Sequence, residues 1–147
     1  PYENLTANLS MPQEHPFVFH LAQATLWDQN IESDGIYHPP NYEVDGFTHG
    51  TSNPQKLLNV ANHFYLGVEG EWYCLRMTAE SLKASGVETT YESAANELGV
   101  STRISMGAYN ELFPRIHGGL KASAVLEAHT VNRAPGGTFL SIEGITR

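Results

Sequence analysis

The stretch that decides the fold is VDGFTHGTSNPQKLLNVANHFY, residues 44–65. It reads as a strand, a small-residue turn and a helix, with polar side chains gathered at the junction. Val44 and Phe47 occupy strand-type apolar positions, and Gly50 permits a sharp exit that a bulkier residue resists. Ser52 or Asn53 can cap the helix, and Pro54 suits its first turn, where no backbone N–H is needed. Leu57, Leu58, Val60, Ala61, Phe64 and Tyr65 then recur at helical spacing, which predicts one core-facing helix face. His49 and Thr51 are left at the strand end, beside the free N–H groups of the helix N-terminus. Such an end favours anionic or strongly polar ligands, so this junction is the first place to look for function.

Upstream, residues 1–16 are polar, carry prolines and show no period, which reads as a flexible N-terminal arm before a single domain of residues 17–147. Phe17-Val-Phe-His20 is a short apolar strand. A helix is expected from about Ala24 to Ser33, with Leu26, Trp27 and Ile31 inward and Gly35 ending it. Pro39-Pro40 makes the segment from Ile36 to Tyr42 a loop. Downstream, Trp72 to Met77 is a buried-type strand, Thr78 to Ser85 a capped helical turn closed by Gly86, and Val87 to Tyr91 a β-branched strand. A short helix is expected over Ser93 to Gly99 and irregular chain over Ser101 to Glu111, then a loop from Phe113 to Leu120. Two alternating runs, Ala124 to Val131 and Thr138 to Ile142, form a hairpin about Pro135-Gly136-Gly137. The predicted class is α+β, one domain with a mixed or antiparallel split sheet and two main helices.

A chain of 147 residues, 41% hydrophobic and 16% charged, suits one folded domain. No apolar run nears the roughly eighteen residues of a membrane span, and no leader pattern is visible, so no membrane is expected and the location is read as cytoplasmic. With 8 basic and 16 acidic residues the formal charge is -8, which opposes general nucleic-acid binding, although Arg103, Arg115 and Lys121 can still meet one phosphate. The lone Cys74, inside WYCL, reads as a buried inert thiol, and the sequons at Asn4 and Asn8 as unused. Seven histidines form no HExxH pair and no cysteine-assisted set, so no metal is expected. GxSxG, GxGxxG and Walker loops are likewise missing.

Among individual side chains, His49 is the leading catalytic candidate, since imidazole can act as acid, base or donor near neutral pH. Thr51 can cap the helix or meet a ligand. Gln55 and Asn62 share a helix face, either as ligand contacts or as scaffold amides. Arg115 and His117 stand two apart in FPRIHGGL, either as a solvated loop pair or as an anion clamp, for which Arg offers a rigid donor fork. Glu92 is a second general-base candidate, with a surface role as the alternative. Trp27, Tyr37 and Tyr65 are packing residues, one of which can stack a flat ligand.

Taken together, His20, Trp27, Gly35, Tyr37, Asp45-Gly-Phe-Thr-His49, Gln55, Ala61-Asn62, Phe64-Tyr65, Phe113-Pro114, Gly118, Leu120 and Ala124-Val125 resemble the domain-of-unknown-function family DUF952, over about Phe17 to Val131. That family is similar in outline to the ADP-ribosyltransferases and tRNA 2′-phosphotransferases: a strand ending in His, a helix with Trp and Ile before a Gly, and a strand entering a helix after small hydroxyl residues. The resemblance implies an ADP-ribosyltransferase-like fold and a role for His20 on the ribose hydroxyls of NAD. The chain departs from the family pattern at Arg115 (commonly His), His117 (commonly Tyr), Gly50-Thr51 (commonly Cys-Ser) and in an apparent insertion over residues 94–110, which points to a specialised ligand.

The expected function is that of a small-molecule enzyme. One form uses NAD or another ADP-ribose-bearing ligand: His20, Thr51, Gln55, Tyr65 and Arg115 bind the cofactor, and His49, Glu92 or His117 handle protons. Another is a cofactor-independent isomerase or cyclase using His49. A non-catalytic small-molecule-binding protein is the remaining alternative.

Overall fold

The computed structural model describes residues 15–93 and 112–146. The expected N-terminal arm up to residue 14, the expected helix beyond Ser93 and the irregular run before Leu112 lie outside the described residues. The strand β1 (Phe17–Gln23) runs three residues past its expected end at His20. Every side chain from Val18 to Ala22 is buried. Alternate residues of a strand face opposite sides. Val18 and Ala22 therefore enter one core, with Trp27, Tyr37, Leu75, Met77 and Ile116. Phe19 and Leu21 enter a second, with Leu57, Ala61, Trp72, Phe139 and Ile142.

After β1 come α1 (Ala24–Glu32), α2 (Tyr42–Asp45), β2 (Thr48–His49), a 3-10 turn (Pro54–Lys56) running into α3 (Leu57–Phe64), β3 (Trp72–Thr78), α4 (Ala79–Ala84), β4 (Glu88–Ser93), β5 (Leu112–His117), β6 (Glu127–Arg133) and β7 (Phe139–Ile142). The strands make a four-stranded sheet in the order β1-β3-β6-β7 and a three-stranded sheet in the order β2-β5-β4. All of these pairings are antiparallel. The two sheets meet where Phe19 and Thr51 exchange backbone hydrogen bonds of 2.7 and 2.8 Å. The outcome is a mixed α/β domain with a curled antiparallel sheet and few helices.

Several expectations change. The segment before β2 is one helical turn, α2, closed by Gly46 in the left-handed region at φ 82°. Val44 therefore sits on a solvent-facing turn, 87% exposed, and is no strand residue. Gly50 is needed for close approach more than for a turn: a Cβ there would lie 3.1 Å from Pro114 Cγ and 3.2 Å from Val18 Cγ1. Asn53, not Ser52, caps the following turn, its Oδ1 accepting from the Gln55 N–H at 3.0 Å. Ile31 is 45% exposed. α1 ends with Asp34 at φ 55°, not with Gly35 as the left-handed residue.

The largest correction is Phe113 to His117, read as loop and found as β5, the middle strand of its sheet. A proline normally argues against a central strand because it cannot donate to the ladder. Here β2 stops at His49, and the Pro114 carbonyl still accepts from Gly50 N–H at 3.0 Å. N–H and C=O of one strand residue point the same way, so the missing donor of Pro114 faces the side on which β2 has ended. By contrast, the capped turn at α4 is as expected: Thr78 and Ser81 form a reciprocal capping box and Gly86 closes it at φ 97°. The β6–β7 hairpin also forms where its turn residues placed it.

Candidate functional site

A cleft opens between β1, β2, α2 and the C-terminal half of α3. It has two adjoining lobes, of about 270 and about 230 Å³. Both are lined by His20, Asn41, Asp45, His49, Phe64 and Tyr65. The first lobe adds Thr51, Val60 and Phe113; the second adds Tyr37, Phe47, Val68 and Trp72.

His20 is brought to the cleft by β1, and its ring is 4% exposed. Its Nδ1 lies 2.7 Å from the backbone carbonyl of His49. A carbonyl can only accept, so Nδ1 carries the proton and Nε2 keeps its lone pair in the neutral ring. Burial outweighs that hydrogen bond and lowers the pKa to about 4, so the ring is neutral at physiological pH. Nε2 is buried and finds no hydrogen-bond partner among the described residues. The Trp72 indole Nε1, on the second lobe, is in the same condition. Buried polar atoms are seldom left unmatched, so both are candidate ligand contacts.

His49 stands at the end of β2 with Nε2 2.8 Å from Asp45 Oδ2. Only the nitrogen can donate to a carboxylate, so this contact places the proton of the neutral ring on Nε2. Its ring also packs against Phe47, with centroids 4.6 Å apart. Asp45 closes α2, four residues before His49, so one turn and a short link set the pair. Tyr65 caps the C-terminus of α3 and stacks near Trp72, centroids 4.6 Å apart. Its phenol pKa is raised, by burial first and then by the negative charge of Asp45. Burial raises that of Tyr37 as well. Both phenols therefore remain hydrogen-bond donors at neutral pH.

The structure gathers His20, His49, Thr51 and Tyr65 at one cleft and leaves four other expected residues outside its lining. Gln55 is exposed on the 3-10 turn. Glu92 lies on β4 opposite Phe113. Arg115 pairs with His49 across β2 and β5, but its guanidinium sits 4.5 Å over the Phe47 ring. His117, at the end of β5, has Nε2 2.7 Å from Thr90 Oγ1. As residues i and i+2 of β5, Arg115 and His117 share one face of the sheet, and the His117 ring also lies near Phe47, with centroids 6.3 Å apart. Asn62 is scaffold, its side chain binding both N–H and C=O of Phe139 at 2.8 and 3.1 Å. The polarity expected of the site also reverses, because the helix turns its C-terminal end to the cleft and not its N-terminus.

Sequence reasoning missed Asp45, Asn41 and Phe47 as site residues. The available signal was Asp45 at four residues before His49, a spacing that a short turn converts into a side-chain pair. Among the described residues, no group of three or more His, Cys, Asp or Glu gathers as a metal site, and no helix is long and apolar enough to cross a membrane.

These features define an α/β domain with a curled antiparallel sheet and a histidine-bearing cleft at the junction of its two sheets. The chain belongs to the DUF952 family, described as a protein of unknown function, whose profile matches residues 21–128. Among solved structures it is similar to the protein CC0527 from Caulobacter crescentus, at 17% identity and a TM-score of 0.62, covering 84% of this chain and 93% of that one. A double mutant of the same Caulobacter protein matches at 16% identity with the same score and coverage. At such identity the likeness shows the fold alone. No curated protein matches the chain.

Proposed function

We propose that the chain is a small-molecule enzyme that needs no cofactor, with His49 as its proton-transferring residue. The observation that carries this reading is the Asp45–His49 pair beside Nε2 of His20, which has no partner among the described residues, all on one cleft. A carboxylate on one imidazole nitrogen fixes the ring and favours proton uptake at the other, the arrangement general acid–base catalysis needs. His49 exchanges the proton, Asp45 positions its ring, and His20 accepts a hydrogen bond from a substrate hydroxyl or amine through Nε2. Isomerisation or cyclisation is the reaction class that such a set serves, since each needs a proton removed from one atom and returned to another.

The second reading is an ADP-ribosyltransferase-like enzyme using NAD. What favours it is the lone pair of His20 on the first strand, the position to which the transferase resemblance assigns a ribose hydroxyl. The residues suit the ribose better than the rest of the cofactor. Two phosphates call for cationic donors, and among the described lining residues there is no Lys or Arg, while Asp45 adds negative charge. Gln55, Glu92, Arg115 and His117 stand outside the lining, so the cofactor-free reading takes precedence.

A metabolite panel screened for binding and then for turnover tests the proposal. The expected result is turnover without added nucleotide, with kcat lowered about 100-fold or more in His49→Ala and KM changed little. Calorimetric titration with NAD and ADP-ribose supplies the other arm. Saturable heat that disappears in His20→Ala moves the assignment to the transferase reading. Turnover unaffected by His49→Ala overturns the role of His49.

A further inference from the structure

We infer that the second lobe selects an organic cation, a protonated amine carried on an apolar or aromatic body, and turns away phosphorylated ligands. This rests on the cleft being a small-molecule site and adds the class of its ligand.

Four features of the lobe point the same way. Its walls are aromatic, formed by Tyr37, Phe47, Phe64, Tyr65 and Trp72. Ring faces attract a cation within about 6 Å, most strongly where water is excluded. One face of Phe47 is already taken by the Arg115 guanidinium, 4.5 Å from its centroid, which leaves the other four rings to receive the ligand. Second, Asp45 lines the lobe, and the lining has no Lys or Arg among the described residues. His49 Nε2 bonds Asp45 Oδ2 at 2.8 Å, and a carboxylate can accept further donors on its two oxygens.

Third, α3 ends at Phe64 and Tyr65 on this wall. The C-terminus of a helix carries partial negative charge and favours cations, and the eight residues of α3 give it two turns of aligned peptide dipoles. Fourth, the buried Nε2 of His20 is an acceptor without a partner among the described residues, which an ammonium N–H satisfies and a carboxylate or phosphate oxygen cannot. Trp72 Nε1–H supplies one donor, so an acceptor elsewhere on the amine's body is accommodated. A chain of formal charge -8 also draws cations towards it at long range.

The test uses four probes that share one ring: benzylammonium, benzyl alcohol, benzoate and benzyl phosphate. Binding to the intact chain at pH 7 is followed by quenching of tryptophan fluorescence and by ligand NMR, because Trp72 lies on the lobe. Benzylammonium is expected to bind about tenfold or more tightly than benzyl alcohol, the size of a desolvated cation–π contact joined to an ion pair. Benzoate and benzyl phosphate are expected to show no saturable binding. In Asp45→Asn the preference for ammonium over alcohol should shrink several-fold. Equal binding of alcohol and ammonium, or tighter binding of either anion, overturns the cation inference and leaves the cleft a small-molecule site. Absence of saturable binding by all four probes at millimolar concentration overturns both. The comparison among probes needs no variant, so it stands even if Asp45→Asn folds poorly.

Discussion

Acid should destabilise this protein through one residue, His20, by an amount that follows from its environment. In the unfolded chain its pKa is near the ordinary 6.5, whereas in the fold burial holds it at about 4. Between those two values the unfolded state binds a proton that the folded state does not. Stability therefore rises with pH across that window, is fully present above about 6.5, and is lost as pH falls towards 4. The gap corresponds to about 3 kcal/mol when traversed completely, and about 2.5 kcal/mol at pH 4.5. That is a sizeable part of the 5–15 kcal/mol typical of a folded domain. Other ionisable groups also contribute to acid unfolding, so the measurement is a difference. Urea unfolding of the native chain and of His20→Gln, each at pH 7.5 and 4.5, removes the shared contributions. Trp27 and Trp72, both buried, report the transition. The native chain should lose about 2.5 kcal/mol more than the variant between the two pH values. Equal losses, within about 0.5 kcal/mol, would refute the assignment of a neutral buried ring. An NMR titration of the His20 ring reads the same quantity without substitution: a midpoint near 4 is expected, and one near 6.5 would refute it independently.

Other perturbations test the framework that holds the cleft. Asn62→Ala strands the N–H and C=O of Phe139 between α3 and β7 and should cost about 2–4 kcal/mol in denaturant unfolding, whereas a surface role for Asn62 predicts almost none. At Gly119 an added Cβ would lie 2.5 Å from Ile36 Cγ2 and 2.7 Å from the Tyr37 carbonyl, so Gly119→Ala should lower the melting temperature, by about 1–3 kcal/mol equivalent, and loosen the Tyr37–Leu120 bridge. An unchanged melting temperature would show that the close crossing there is not maintained. Burial pushes the Cys74 thiol up to about 12, so a thiol reagent at pH 8 should label the native chain only at the rate of unfolding, and rapid native labelling would contradict the packing of β3.

How much of this was legible beforehand depends on the range of the interaction involved. Local chemistry was readable: the Thr78 capping box and the β6–β7 hairpin follow from residues within a few positions of one another. Positions of His20, His49, Thr51 and Tyr65 on one cleft were readable in part, because strand ends and helix ends collect polar groups. The segment that carries Arg115 and His117 was misread as a loop because Pro114 carries a local signal against a strand. That signal is overruled only where β2 stops, a fact about another segment.

The sequence alone determined the mixed α/β class, the DUF952 membership and the placing of His49 at a strand end, since periodicity and turn residues act over short distances. Only the tertiary structure decided which end of α3 faces the cleft and that Nε2 of His20 is buried without a partner among the described residues. Both arise from segments far apart in the chain meeting at the junction of two sheets, whereas the Asp45–His49 pair is set within four residues. Burial, and with it the protonation state of His20, is set by what packs around a residue and not by the residue itself.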